Sequence, residues 1–290
     1  MALKHKPLKG ILLITIAIAN FSIMDTIAKY LSHSYPVGSV VWARYAINLI
    51  VLSVFLVASG EVKRVKTARP GTQVVRGLML GASTLLYFTS LTVLPLAEAA
   101  AIGFVLPVFV AILAVPMLNE RIDMPRIIAI FVGLSGALIV VRPGTALFTV
   151  YALLPVAMAL CNAFYQILTR KIAGIEHPLT SLFYGSLIGT VMSTMLLSAG
   201  VAMPVGWFHW VLFLTLGVLA TIGHFVLIRA FDYAPATLLS PFVYTQLIWV
   251  MLFGWFIFGD FPDGWSLVGM AVIVASGLYI ANRQRLTAKR

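Results

Sequence analysis

A chain of 290 residues that is 61% hydrophobic and only 10% charged stands far from soluble domains, in which about 25% of residues are charged. A soluble fold of this length could not bury so much apolar surface, so the composition excludes an ordinary soluble enzyme or binding module and points to an integral membrane protein. The formal net charge of +11 would suggest nucleic acid in a soluble protein. Here the basic residues fall in loops and tails and set orientation, so the expected partner is the lipid bilayer and no nucleic acid.

Near the start of the chain KHKPLKG precedes an apolar run over 11–31. That run is too long for a signal peptide, lacks a small-residue cleavage site and continues into more membrane, so it reads as a first span. Spans of about 20 residues can be drawn at 11–31, 38–58, 72–93, 96–117, 124–141, 147–168, 179–199, 208–231, 236–257 and 264–282. The links are short and carry turn signals such as Tyr35-Pro36, Arg69-Pro70-Gly71, Arg142-Pro143-Gly144 and His177-Pro178. The single cysteine, Cys161, lies inside an apolar run, which rules out an intramolecular disulfide framework. With a cytoplasmic N-terminus, ten spans place 17 Lys and Arg residues inside and leave Lys29, Arg44 and Arg142 as the 3 on the outer side. An odd span count would scramble this asymmetry, so both termini are expected in the cytoplasm.

The stretch Leu94–Arg121 has a fainter copy 140 residues later: Pro95 matches Pro235, Glu120 matches Asp260 and Asp123 matches Asp263. Asn20 and Lys29 likewise match Asn162 and Lys171 at an offset of 142. Five spans per half is an odd number, so the second half must enter the membrane inverted, the arrangement by which many transporters build a midplane site between two rocking halves. The expected fold is therefore an all-α integral membrane protein of ten transmembrane helices in two inverted five-helix repeats, 1–143 and 144–290.

Together, the ten spans, the LPLAEAAAIGFVLPVFVAIL…NER signature closing span 4 and FSIMDTIAKYLS in span 1 resemble the EamA family of the drug/metabolite transporter superfamily, over nearly the whole chain. The second half keeps Asp260 but has Phe261 where the first has Arg121, a departure from equal roles. The resemblance implies transport of small metabolites across the cell membrane (the inner membrane in a bacterium) and no cofactor.

Charges inside a bilayer are costly and mark pathways or pairs. Asp25 in span 1 and Arg44 in span 2 fall at about the same depth, so an interhelical Asp25–Arg44 ion pair is expected. The alternative is an Asp25–Lys29 pair one helical turn apart. Glu98, just after Pro95, is either a coupling carboxylate facing the pore or a helix-start carboxylate satisfied by free backbone N–H groups. Near the midplane lie Asn20, Thr84, Asn162, Tyr165, Gln166, His224, Tyr244 and Gln246, with Thr84 and His224 at equivalent positions 140 residues apart. We expect substrate to be held by Asn20, Thr84, Tyr87, Asn162, Gln166, His224 and Tyr244. Aromatics such as Phe88, Phe104, Tyr165, Phe242 and Trp249 would line the pore or fill the core. Spans 2, 5, 7 and 10 show less central polarity and are expected to form the outer wall. Small residues over Gly133–Ala137 and Gly269–Gly277 suit close helix contact, within the chain or against a second subunit, which leaves monomer and homodimer open.

The sequence lacks a GxxxxGK[ST] loop, an HExxH motif and a Cys/His cluster at metal spacing, so neither ATP hydrolysis nor a metal is expected. A membrane enzyme would need a reactive constellation that is not present, and a channel a filter-like loop. The expected function is a secondary transporter of small organic metabolites, with amino acid export the leading case. Uptake of a larger vitamin- or nucleoside-like molecule is the alternative.

Overall fold

The computed structural model describes residues 6–118, 124–142, 149–172, 175–197, 202–231, 233–234 and 236–287. Glu120, Arg121, Asp123 and Pro235, which carry much of the repeat signature, and the division at 143/144 lie outside the described residues. The described chain is helical: α1 (Pro7–Ser32), α2 (Val37–Ala58), α3 (Pro70–Leu91), α4 (Leu96–Gly103), α5 (Leu106–Leu118), α6 (Met124–Val141), α7 (Leu153–Ile172), α8 (Pro178–Leu196), α9 (Gly206–Phe231), α10 (Ala236–Leu239), α11 (Thr245–Phe253) and α12 (Gly264–Thr287). Helix is the form in which a backbone satisfies its own polar groups without water. Prolines open α1, α3 and α8, where the missing N–H has no intrahelical acceptor to lose.

Among the described residues seven helical stretches are long and apolar enough to cross a membrane, and three shorter apolar ones cover Ile127–Val141, Phe242–Phe258 and Gly264–Tyr279. The expected span 147–168 is shifted toward the C-terminus, with a 3₁₀ turn at Val150–Ala152 leading into α7. This shift puts Asn162 at the helix centre. Two stretches are broken. Between α4 and α5 the backbone tightens, with Phe104 N–H donating to Ala100 and Ala101 O and Val105 N–H to Ile102 O. Pro107 has no N–H for the carbonyl of Gly103, so one helical hydrogen bond is missing at this break. The matching stretch in the second half is a short α10, a 3₁₀ turn over Ser240–Tyr244, α11 and a π turn over Gly254–Phe258 that ends on left-handed Gly259.

Helix neighbours are α1 with α9, α3 with α7, α2 with both α8 and α9, α3 with α8, α5 with α7, α1 with α11, α4 with α11 and α6 with α12. The small residues serve contacts within the chain. A Cβ on Gly136 would lie 2.8 Å from Gly269 O, and one on Gly269 would lie 2.6 Å from Gly136 O. Gly277 leaves room for the Tyr244 phenol.

The two ends of the bundle differ in kind. At one end Trp42, Trp207, Trp210, Trp255 and Trp265 are exposed, as in an interfacial aromatic belt. Two ion pairs lie there, Lys29 Nζ to Asp260 Oδ2 at 3.0 Å and Arg142 with Asp263. The other end is basic, and Glu176 ties its loops together by accepting from Thr67 Oγ1 (2.7 Å), Ala68 N–H (2.8 Å) and Arg69 N–H (3.0 Å). Arg76, within the expected span 72–93, is buried. It donates to Gln73 Oε1, Thr169 Oγ1 and Ser181 O and stacks over Tyr165.

Candidate functional site

Helices α1, α2, α3, α4, α7 and α9 and the broken stretch around α11 enclose a cavity of about 260 Å³ midway along the bundle. Helical periodicity selects what faces it. Phe21, Met24 and Asp25 of α1, and Leu80, Ser83, Thr84, Tyr87 and Phe88 of α3, recur at three- and four-residue spacing, the mark of one helical face. The break after Gly103 lets Phe104 and Leu106 both reach the cavity.

Six of the ten expected residues line it: Asp25, Arg44, Thr84, Tyr87, Asn162 and His224. Four do not. Asn20 is not among the lining residues, and its Oδ1 is buried beside Gly223 of α9 without a hydrogen-bond partner. Gln166 is exposed, one turn behind Asn162, to whose Oδ1 it donates at 3.0 Å. Tyr244 stacks on Phe104 with ring centroids 5.0 Å apart, so Phe104 stands between it and the cavity. Glu98 is buried in the first turn of α4 with its own backbone N–H as a partner, and its charged neighbours are Lys29, Asp260 and Asp263. Glu98 is not among the residues that line the central cavity.

The expected Asp25–Arg44 ion pair does not form, and neither does its alternative. Lys29 turns away from Asp25 to Asp260 and to Leu94 O, the latter at 3.1 Å. Asp25 accepts from Gln246 Nε2 at 3.3 Å. Arg44 Nη1 donates to Thr84 Oγ1 at 3.1 Å, its guanidinium lies 4.7 Å from the Tyr45 ring, and its Nε is buried without a partner. Equal depth in adjacent spans did not bring the two charges together because each found a neutral partner on a third helix. Span 2, expected in the outer wall, thus reaches the cavity through Arg44.

Thr84 is a positioning group, since its hydroxyl also meets Tyr45 Oη at 2.7 Å and donates to Leu80 O at 3.0 Å. Asn162 Nδ2 donates to Ser83 Oγ at 3.3 Å, and His224 meets the Phe21 ring edge-on at 5.1 Å. Of the proposed aromatics, Tyr87, Phe88 and Phe104 line the cavity. Tyr165 lies under Arg76, and Phe242 and Trp249 pack around Ile14 and Ile18. Sequence reasoning left out Ser83, Phe21, Met24 and Met158, and it put Gln246 at the midplane without assigning it to substrate. The stripe on α1 was legible from Asp25 by counting back one turn. Choosing Gln246 over Tyr244 was not, because the intervening 3₁₀ turn resets which residues face inward. Among the described residues no group of three or more His, Cys, Asp or Glu is placed to hold a metal ion.

A second cavity, of about 290 Å³, lies at the tryptophan-bearing end, lined by Lys29, His33, Leu94, Phe258 and Asp260 among others. The Lys29 ammonium sits 4.9 Å from the Phe258 ring.

A family model described as the EamA-like transporter family matches the chain twice, over residues 8–142 and 149–282. A riboflavin transporter of Vibrio cholerae is 28% identical over all of this chain and 98% of its own. An S-adenosylmethionine uptake transporter of Rickettsia conorii is 30% identical over 98% of this chain and 96% of its own. A pseudopaline exporter of Pseudomonas aeruginosa is 26% identical over 95% and 97%. One solved crystal structure shares the fold, with a TM-score of 0.66 at 17% identity, covering 96% of this chain and 98% of that one. The family and these relatives are transporters of small molecules, not enzymes, and with the apolar helices they place this chain in the cell membrane as a multi-pass protein.

Proposed function

We propose, for a chain that belongs to the EamA-like transporter family, a secondary transporter working by alternating access through the central cavity between two inverted five-helix repeats, 1–143 and 144–290. Both termini lie in the cytoplasm, where the positive-inside rule puts the basic end, and the tryptophan-bearing end faces outward. Several observations support the repeat. The family model matches once in each half. Shifting by one half turns the α1–α9 contact into α3–α7, and α2–α9 into α3–α8. Phe104 and Tyr244 stand 140 residues apart, each at the break in its stretch, and stack on each other, as residues beside a two-fold axis must.

The substrate reading we favour is uptake of a vitamin- or nucleoside-like metabolite carrying a flat heterocycle. The observation that carries it is the cavity wall: Phe21, Tyr87, Phe88 and Phe104 around a few placed polar groups, the usual make-up of a small-molecule site. The relatives named for riboflavin and S-adenosylmethionine support it. Amino acid export is the second reading, favoured by size, since about 260 Å³ lies at the small end of ligand pockets, which run to about 300–1,000 Å³. The test is flux of radiolabelled riboflavin, S-adenosylmethionine and a set of amino acids in liposomes containing only this protein. Transport of at least one of the first two is expected. Transport of amino acids alone would move the assignment to the second reading, and no flux of any would refute both.

A further inference from the structure

We propose that the central cavity recognises a zwitterion, with Asp25 receiving the ligand's cationic group and Arg44 its carboxylate. The proposal rests on the assignment of this cavity as the transport site and names the class of molecule it takes. Both side chains line the cavity, and both residues are only 5% exposed. An ion taken out of water costs several kcal/mol unless it is paired and fully hydrogen-bonded. Neither requirement is met within the chain. Asp25 has one 3.3 Å bond, from a neutral amide. Arg44 has one bond, to a hydroxyl, and leaves Nε without a partner. Tyr87 Oη, also facing the cavity, is buried and unpartnered.

The two charges line one cavity, yet no ion pair joins them. Gln246 on α11 keeps Asp25 on its side, and Thr84 on α3 keeps Arg44 on its own. A ligand with an ammonium and a carboxylate would complete both, and its own two charges would be desolvated against partners of opposite sign. A cation alone would leave Arg44 uncompensated, and an anion alone would leave Asp25. The site therefore selects against molecules bearing a single charge as well as for those bearing both, which is how discrimination is built when binding contacts alone are few. The aromatic wall then holds the rest of the molecule.

The test is calorimetric binding to the full-length protein in detergent, with two matched series. S-adenosylhomocysteine is compared with 5′-methylthioadenosine, which keeps the adenosyl thioether but has no charged end. L-Tryptophan is compared with tryptamine and indole-3-propionate, which lack the carboxylate and the ammonium respectively. In at least one series the zwitterion should bind roughly tenfold or more tightly than its partners, the worth of hydrogen bonds to charged groups. Asp25→Asn and Arg44→Gln should each bring that ratio to within about threefold of unity. If a single variant does not fold, Asp25→Asn/Arg44→Gln, which leaves no lone buried charge, carries the same measurement. A preference seen only for tryptophan keeps the zwitterion and shifts the transport assignment to amino acids. Equal binding of charged and uncharged partners, a ratio unchanged in the variants, or no binding of any probe overturns the proposal, while riboflavin flux without zwitterion preference would leave the vitamin reading standing alone.

Discussion

Removing either partner of the Lys29–Asp260 pair should have unequal consequences. The Lys29 side chain is 6% exposed and that of Asp260 is 38% exposed. Asp260→Asn strands an ammonium that cannot reach water. Breaking a buried pair this way costs about 3–5 kcal/mol, and since Lys29 keeps Leu94 O and the Phe258 ring, the lower end, about 3 kcal/mol, is expected. Lys29→Met instead removes the buried charge and leaves a carboxylate that solvent can reach, so its cost should stay near the 1 kcal/mol or so of an exposed pair. The difference of about 2 kcal/mol is roughly 30-fold in the unfolding equilibrium. Lys29→Met/Asp260→Asn should resemble Lys29→Met alone, because the second change no longer strands anything. The assay is equilibrium unfolding in mixed micelles followed by tryptophan fluorescence, arranged as a double-mutant cycle. If Lys29→Met costs as much as Asp260→Asn, or if the two losses add in the double variant, the account of burial at this pair is wrong.

Thr84→Ala, which releases Arg44, should weaken substrate by about 0.5–1.5 kcal/mol, whereas Asn20→Ala, outside the cavity lining, should change affinity less than about twofold; equal losses in a competition assay would contradict the placement of Asn20. Gly269→Val should destabilise the fold by about 1–3 kcal/mol or more, because the atom it meets is the backbone carbonyl of Gly136, and a thermal midpoint equal to the parent's would show that α6 and α12 can separate freely. Glu176→Ala removes an acceptor shared by three donors and should cost about 1–2 kcal/mol, largely restored in Glu176→Gln, as judged by proteolysis of the 60–70 segment. Asp263 is held below the ordinary carboxylate value, first by the Ser266 N–H it caps and then by Arg142. Its stabilising contribution is therefore present in full above about pH 5 and lost as pH falls through its native value, so Asp263→Asn should flatten the acid limb of a stability–pH curve. A limb unchanged from the parent's would remove Asp263 from that role.

Membrane identity and helix placement were legible in the chain itself, because a bilayer leaves the backbone few options and sets the length of each apolar run. Span edges such as those around α2 and α6 needed no tertiary information. The polar residues could be collected by depth, and Thr84 and His224 among them line the cavity. Their facing could not. A helix apolar on all sides shows no polar stripe to mark its inner face, so Asn20 and Asp25 look equally suited to a site in the sequence, and only packing decided that Asp25 lines the cavity while Asn20 lies against Gly223. The break beside Pro107 and the 3₁₀ turn before α11 then shifted the phase of everything after them, which moved Gln246 inward and Tyr244 onto Phe104. Charge pairing was decided at the same level. Depth placed Asp25 beside Arg44, Lys29 and Asp260 gave no local sign of each other 231 residues apart, and only the assembled bundle determined which charges met and which two were left facing a cavity.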